Sequence, residues 1–424
     1  MGRGLHRRAT AGRNCESVAG TVLHRILPAD LDLATPYDNT RTSMLTDAQI
    51  AELRTHFPIL RDKTYLYNCS QGALSDAVEE GMRAFATSWR TSSAPWDDWM
   101  GVYESLRAQF ARLINASPDE IAILPSASAG INPIANALQF DERPGVVMGE
   151  YEFPTMGQIW LAQQVRGARV QFIDGVGYAI PTERYEQAID RSTRIVPLTH
   201  VSFVTGHRSD VPAIARIAHA SGALVFLDGY QDCGTRPIDV KALDVDFYVT
   251  GTLKYLLGPP GLAFLYVRRE LIETLTPTMT SWFSQREIFA FDPKRLDLAP
   301  TARRFENGAP VIPSIYLARP AIDLLSTIGL ANVAVQIERL TQAFLAGAAR
   351  LGIATKTPAT SVGPLVVLRS HDPAAALAGL TARGVVVSTR RDGVRFAFHV
   401  YNTLADVETA LAALETVRDF MVRT

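Results

Sequence analysis

Seven short apolar runs between residues 121 and 267 limit most tightly what this chain can fold into. They lie at 121–124, 146–148, 170–173, 195–198, 224–227, 247–249 and 262–267. They are rich in β-branched and aromatic residues, and they do not alternate apolar with polar. A strand with one wet face alternates, whereas a strand covered on both faces reads as continuously apolar. Helical patterns, such as 212–220, separate most of the runs. This β-α-β alternation predicts an α/β fold with a mostly parallel sheet and helices on both faces. After residue 305 long helical patterns (314–325, 333–351, 373–382, 404–423) surround strands at 364–368, 385–388 and 394–398. That change predicts a large domain over 46–305, with its N-terminal segment, and a smaller α+β C-terminal domain over 306–424.

A chain of 424 residues is too long for one compact core, which agrees with two domains. The net charge of −1 leaves no basic surplus for nucleic acid or an acidic membrane surface. No apolar run approaches the roughly 20 residues that span a bilayer. The three cysteines, Cys15, Cys69 and Cys233, form neither a CxxC pair nor a zinc-ligand spacing. They point to a reducing, cytoplasmic setting. Residues 1–28 are rich in Arg and Ser/Thr and carry one acidic residue, Glu16. Residues 1–45 read as a disordered tail or a spurious extension ahead of Met44, and 1–43 as dispensable. Order is expected from Thr46-Asp47-Ala48-Gln49, a capping box that opens an amphipathic pattern through Phe57. A short strand at 64–68 and helices at 75–89 and 96–114 follow.

Open parallel sheets bind ligands at the carboxyl ends of their strands, so the residues after each run are the candidates. Run 224–227 ends in Asp228-Gly229-Tyr230-Gln231, and run 247–249 in Thr250-Gly251-Thr252-Leu253-Lys254. A lysine just past a buried strand is unusual, because its ammonium is costly to desolvate. Ser126-Ala127-Ser128-Ala129-Gly130 links run 121–124 to a helical pattern, and small residues there let a backbone approach an anion. Phe153 follows run 146–148. Each feature alone has a plain explanation: a turn former, a solvated lysine, an ordinary N-cap, a core aromatic. Together they meet the four demands of pyridoxal 5′-phosphate (PLP). These are a lysine of lowered pKa, an acid at the pyridine nitrogen, an anion site for the phosphate, and a flat group over the ring.

The segments LTHVSFVTG and ALVFLDGYQDCGTRPIDVKALDVDFYVTGTLKYLLGPPGLAFLYV resemble the core of the class V aminotransferase family. The resemblance runs from about residue 58 to the C-terminus. That family has the PLP fold-type I architecture and includes cysteine desulfurases, kynureninases and isopenicillin N epimerase. The resemblance implies a homodimer with active sites at the subunit interface. It implies that Lys254 is the Schiff-base lysine, that Asp228 pairs with the pyridinium nitrogen, and that Gln231 faces the phenolic oxygen. Ala127 and Ser128 hold the phosphate, Phe153 stacks on the ring, and His200 stands at a strand end near it. Arg395, in VRFAFHVYNT, grips the substrate α-carboxylate as a planar fork. Segments 68–72, with Ser70, and 96–99 are expected to line the substrate pocket.

Departures from the family pattern matter as well. Leu253 stands where the family has His or Tyr, and Ala309 where it has Thr, so two phosphate ligands are missing. Thr250 or Thr252 is expected to compensate. EFPT and KYL resemble kynureninase, as does Trp282, which there lies at the dimer interface. No cysteine follows Cys233, so the small domain has no thiolate nucleophile of the desulfurase kind. The expected activity is that of a PLP-dependent amino-acid-transforming enzyme, most naturally an aminotransferase, which abstracts the proton at the substrate α-carbon. A Cβ lyase or an epimerase is the alternative. A non-catalytic PLP-binding protein is a reading of another class.

Overall fold

The computed structural model describes residues 44–360 and 362–424. The expectations for residues 1–43 lie outside the described residues, while Leu45, expected in the tail, is buried in the first core. The capping box at Thr46 is formed and opens the helix Asp47–Thr55. After it comes strand β1 (Thr64–Tyr65), then the helices Asp76–Thr91 and Trp96–Leu113.

All seven runs are strands of one sheet: β2 (Ile121–Leu124), β3 (Gly145–Gly149), β4 (Arg169–Ile173), β5 (Thr193–Thr199), β6 (Leu224–Asp228), β7 (Phe247–Gly251) and β8 (Ala263–Val267). Their spatial order is β2-β8-β7-β6-β5-β3-β4. Among the described residues of this sheet, only β8 runs against the others. The cause is the connection. A parallel neighbour needs a crossover, usually a helix, but residues 252–262 between β7 and β8 contain none, so the chain must turn back.

The continuous apolar character of the runs has a direct cause. Ile121, Ile123, Val196, Leu198, Val225 and Leu227 enter one core, and Ala122, Leu124, Ile195, Phe226, Phe247 and Val249 enter another. Successive side chains point to opposite faces, and both faces are covered except along the edge strand β4, where Arg169, Gln171 and Phe172 are exposed against the expectation.

Beyond β8 the helix Ile312–Ile328 packs into the first core through Ile315, Ile322 and Leu325, beside Phe110. A further core gathers around Leu340 and Phe344 of the helix Leu330–Arg350. It is roofed by an antiparallel sheet of β9 (Leu365–Arg369), β11 (Ser388–Arg390) and β12 (Gly393–Ala397), in the order β11-β12-β9. The run expected as one strand at 385–388 divides at Val387. Its first part, β10 (Val385–Val386), pairs in parallel with β1, while β11 joins β12. Leu66, just after β1, is buried in this further core. The N-terminal segment therefore ties the two parts of the chain together.

At the amino end of the central strand β7, His219 links three elements. Its Nδ1 lies 3.1 Å from Asp244 Oδ2 and its Nε2 2.9 Å from Asp246 Oδ2, and Arg268 Nη2 donates to Asp244 at 2.6 Å. The hydrogen bond to Asp246, with help from Asp244 and against partial burial, holds the imidazole pKa above its ordinary 6.5. A raised folded-state pKa stabilises fully below the ordinary value, and that contribution is lost as pH rises through the folded value. His219→Gln should therefore lower the melting temperature more at about pH 5.5 than at about pH 8.5, measured by thermal unfolding at both. An equal loss at the two pH values would show that His219 acts through packing alone.

Candidate active site

The carboxyl ends of β2, β3, β5, β6 and β7 converge on a cavity of about 290 Å³. Register explains the convergence: Thr199 pairs with Asp228, so β5 and β6 stop level, and Asp228 pairs with Val249, two residues before β7 ends. Ala127, Ser128, Phe153, Asp228, Gln231 and Lys254, six of the residues expected from sequence, lie in its wall.

Lys254 sits in the turn-back loop 252–262. Gly258 N–H donates to Thr252 O at 2.9 Å, and Thr252 N–H to Leu262 O at 3.2 Å. From outside, Gly72 N–H donates to Leu253 O at 2.8 Å. The ammonium stands 4.2 Å from the ring centre of Tyr230 and 5.5 Å from that of Phe153. Burial draws the Lys254 pKa down to about 8, while Asp228 and Cys69 pull it upward. What surface it keeps faces the cavity.

Asp228 ends β6. Burial raises its pKa, and the Tyr230 N–H at 2.8 Å and Lys254 oppose the rise. Behind it lies Glu152, whose Oε1 accepts from Thr199 N–H at 2.9 Å. Burial, with Asp228 adding to it, lifts the Glu152 carboxyl well above the usual range. Gln231 donates from Nε2 to Cys69 O at 2.9 Å, and its buried Oε1 has no hydrogen-bond partner among the described residues.

The helix Ala127–Ala137 starts at the cavity. Ser126 caps it by accepting from Ala129 N–H at 3.1 Å. The N–H groups of Ala127 and Ser128 belong to the first turn, which has no partners within the helix. Ser128 Oγ lies 3.4 Å from Thr155 Oγ1, and Thr155 lines the cavity too. Sequence reasoning missed Thr155, although it closes the quoted EFPT. Tyr230, inside the quoted DGYQ, and Phe203, 5.1 Å from Phe153 ring to ring, were missed as well.

Four expectations need correction. Thr252 does not reach the cavity, because its hydroxyl donates to Pro259 O at 2.6 Å and so closes the lysine loop. Thr250 is buried, with Cys233 as its neighbour, and is not in the wall either. His200 is buried beside the wall instead of in it. Its N–H donates to Asp228 O at 2.9 Å, and its Nδ1 lies 3.0 Å from the buried Asp232. Burial would raise the Asp232 pKa, but His200, Arg208 and Arg236 bring it to about 2. Segment 96–99 packs elsewhere, since Trp96 and Trp99 form an aromatic cluster with Trp89 and Phe85.

Arg395 and Ser70 meet across 325 positions of chain, with Arg395 Nη2 donating to Ser70 Oγ at 2.9 Å. Arg395 Nη1 donates to the carbonyl of Phe203, at 3.1 Å. The pair therefore adjoins the cavity through Phe203. Cys69 Sγ lies 3.5 Å from Ser388 Oγ. Cys233 is buried, which pushes its thiol up to about 12.

These residues fit PLP. The cavity suits a small cofactor, unpaired N–H groups and two hydroxyls form an anion site, and the orphaned Gln231 Oε1 offers a polar contact. The lysine loop depends on Gly72 lying against it. A Cβ on Gly72 would come within 2.4 Å of Lys254 O and 2.8 Å of Leu257 Cδ2. Gly72→Ala should cost about 1–3 kcal/mol of stability and weaken retention of the cofactor. Thermal unfolding and the visible absorbance of the purified protein would check this, and an unchanged pair would remove Gly72 from the account.

The comparisons with known proteins agree with this geometry. The sequence model of the family described as Aminotransferase class-V matches residues 70–410. A Bacillus subtilis (strain 168) protein named Uncharacterized aminotransferase YcbU is 34% identical over 361 residues, covering 85% of this chain and 96% of its own. Kynureninase of Pseudomonas fluorescens is 27% identical over 412 residues, 90% of this chain and 96% of its own. The apo structure of cysteine desulfurase from Thermococcus onnurineus NA1 shares the fold, with a TM-score of 0.80 at 24% identity over 89% of this chain and 99% of that one. This chain belongs to the class V aminotransferase family, and its cofactor is pyridoxal phosphate.

Proposed function

We propose that this protein is an amino-acid aminotransferase in which Lys254 carries the cofactor and moves the proton at the substrate α-carbon. The observation that carries the proposal is the buried Lys254 amine, which shares one cavity with Asp228, Phe153 and the first turn of the helix Ala127–Ala137. PLP, when bound, supplies an electron sink that weakens the bonds at the substrate α-carbon. Asp228 would keep the pyridine nitrogen protonated. The N–H groups of Ala127 and Ser128, with the hydroxyls of Ser128 and Thr155, would receive the phosphate. Phe153 would pack on the ring, and the amide of Gln231 would stand beside the phenolic oxygen. Arg395, held by Ser70 and Ser388, binds the α-carboxylate and so sets the α-hydrogen toward Lys254. An amine with a pKa near the working pH can both take that proton and return it.

Sulfur transfer is disfavoured by the lack of any cysteine after Cys233 and by the high pKa of Cys233 itself. A Cβ lyase is the second reading, supported by relatives named kynureninase that span most of this chain. We also infer a homodimer. The exposed Phe289 and Phe291 pack with Trp282 in an aromatic group on the surface, as a subunit contact requires. A cytoplasmic setting is inferred from the buried free thiols of Cys69 and Cys233.

An amino-acid panel assayed with and without 2-oxo acids tests the reaction. Turnover that requires a 2-oxo acid supports transamination. Release of alanine without one indicates the lyase, and inversion at the α-carbon with exchange of the α-hydrogen an epimerase. Lys254→Ala should abolish the visible absorbance of the bound cofactor, and an unchanged spectrum would remove the central assignment. Attachment of PLP needs the neutral amine. Its rate on the apo-protein should therefore rise with pH through about 8 and level off above it, followed by stopped-flow absorbance. A rise continuing toward the ordinary lysine value of 10.5 would contradict the lowered pKa.

A further inference from the structure

Two arginines stand on one face of the small antiparallel sheet. Ser388 of β11 pairs with Arg395 of β12, and Arg390 pairs with Gly393. Residues two apart on a strand share a face, so Arg390 points to the same side as Ser388, and the glycine opposite it adds no side chain. That side is the one turned to the site. Ser388 Oγ accepts from Arg395 Nε at 3.1 Å and lies 3.5 Å from Cys69 Sγ. Arg395 is buried and Arg390 exposed, so one cation lies deep and the other at the rim.

Neither has a carboxylate partner among the described residues. The hydrogen bonds of Arg395 go to Ser388, Ser70 and the Phe203 carbonyl, and that of Arg390 to the carbonyl of Thr389. Burial and the neighbouring Arg395 both lower the Arg390 pKa, the mark of a cation facing another cation. A buried guanidinium without a counter-charge is costly, and an anionic ligand offsets that cost. One carboxylate would answer the buried Arg395, and Arg390, solvated at the rim on the same face, is placed to meet a second.

We propose that the substrate is an amino acid with a second carboxylate on its side chain, whose α-carboxylate binds Arg395 and whose side-chain carboxylate binds Arg390. This rests on the aminotransferase reading above and assigns its substrate class. Arg390 is then the residue that determines specificity.

The test compares acids with amides of the same size on the holoenzyme: L-aspartate against L-asparagine, and L-glutamate against L-glutamine. The acid of at least one pair should have a kcat/KM higher by about tenfold or more, the difference lying mainly in KM. In Arg390→Gln the ratio of acid to amide should fall to near one, and Arg390→Lys should restore part of it. A merely structural role for Arg390 would lower acid and amide together and leave the ratio unchanged. A ratio near one in the unmodified enzyme, or an undiminished ratio in Arg390→Gln, overturns the inference while leaving an amino-acid enzyme in place. If no amino acid perturbs the spectrum of the bound cofactor, the reading of the site falls, and this inference with it.

Discussion

A lysine amine held out of bulk water is the condition on which the rest of the site depends. Removing an ammonium from water costs several kcal/mol unless it is compensated. Here Asp228 supplies the opposite charge, and the rings of Tyr230 and Phe153 supply electron-rich faces. The cost is not wholly cancelled, and the remainder is the drop of the Lys254 pKa to about 8. The loop does not relax outward to solvent because its backbone is held at both ends. Thr252 and Gly258 close it from within, and Gly72 clamps it from without.

That clamp makes the site a joint product of distant parts of the chain. The loop after β1 contributes Cys69 O to Gln231, Ser70 Oγ to Arg395 and Gly72 N–H to Leu253 O. Each hydrogen bond is worth only about 1 kcal/mol, but they share one short segment, so they form or fail together. The same segment reaches the C-terminal part through β1 on β10 and through Leu66 in its core. The cavity is therefore complete only where that part is docked. The small sheet brings Arg395 and Arg390 to the site by the same route.

Legibility in the sequence followed how each residue reaches the site. Lys254, Asp228, Phe153 and Ser128 could be found because apolar runs mark buried strands and chemistry collects just beyond their carboxyl ends. Thr252 and His200 lie equally close to strand ends, yet their side chains turn elsewhere. A hydroxyl can close a turn as easily as bind a ligand, and an imidazole two strands from the lysine has a buried carboxylate to face. Trp96 and Trp99 had no strand to orient them, and they joined neighbouring aromatics on a helix pair. Phe203 and Tyr230 were passed over because their residue types suggest packing, and only the cavity shows which surface they present.

By itself the sequence determined the layered α/β sheet, the seven strands and the residues that stand just beyond them. The physical reason is that a strand buried on both faces leaves a continuous apolar signature, so that its end can be read residue by residue. Only the tertiary structure decided that β8 turns back on β7, that the run at 385–388 serves two sheets, and that Ser70 meets Arg395. Strand pairing and long-range contact depend on the free energy of the whole packed chain. No local pattern records which partner, hundreds of residues away, will satisfy a buried guanidinium.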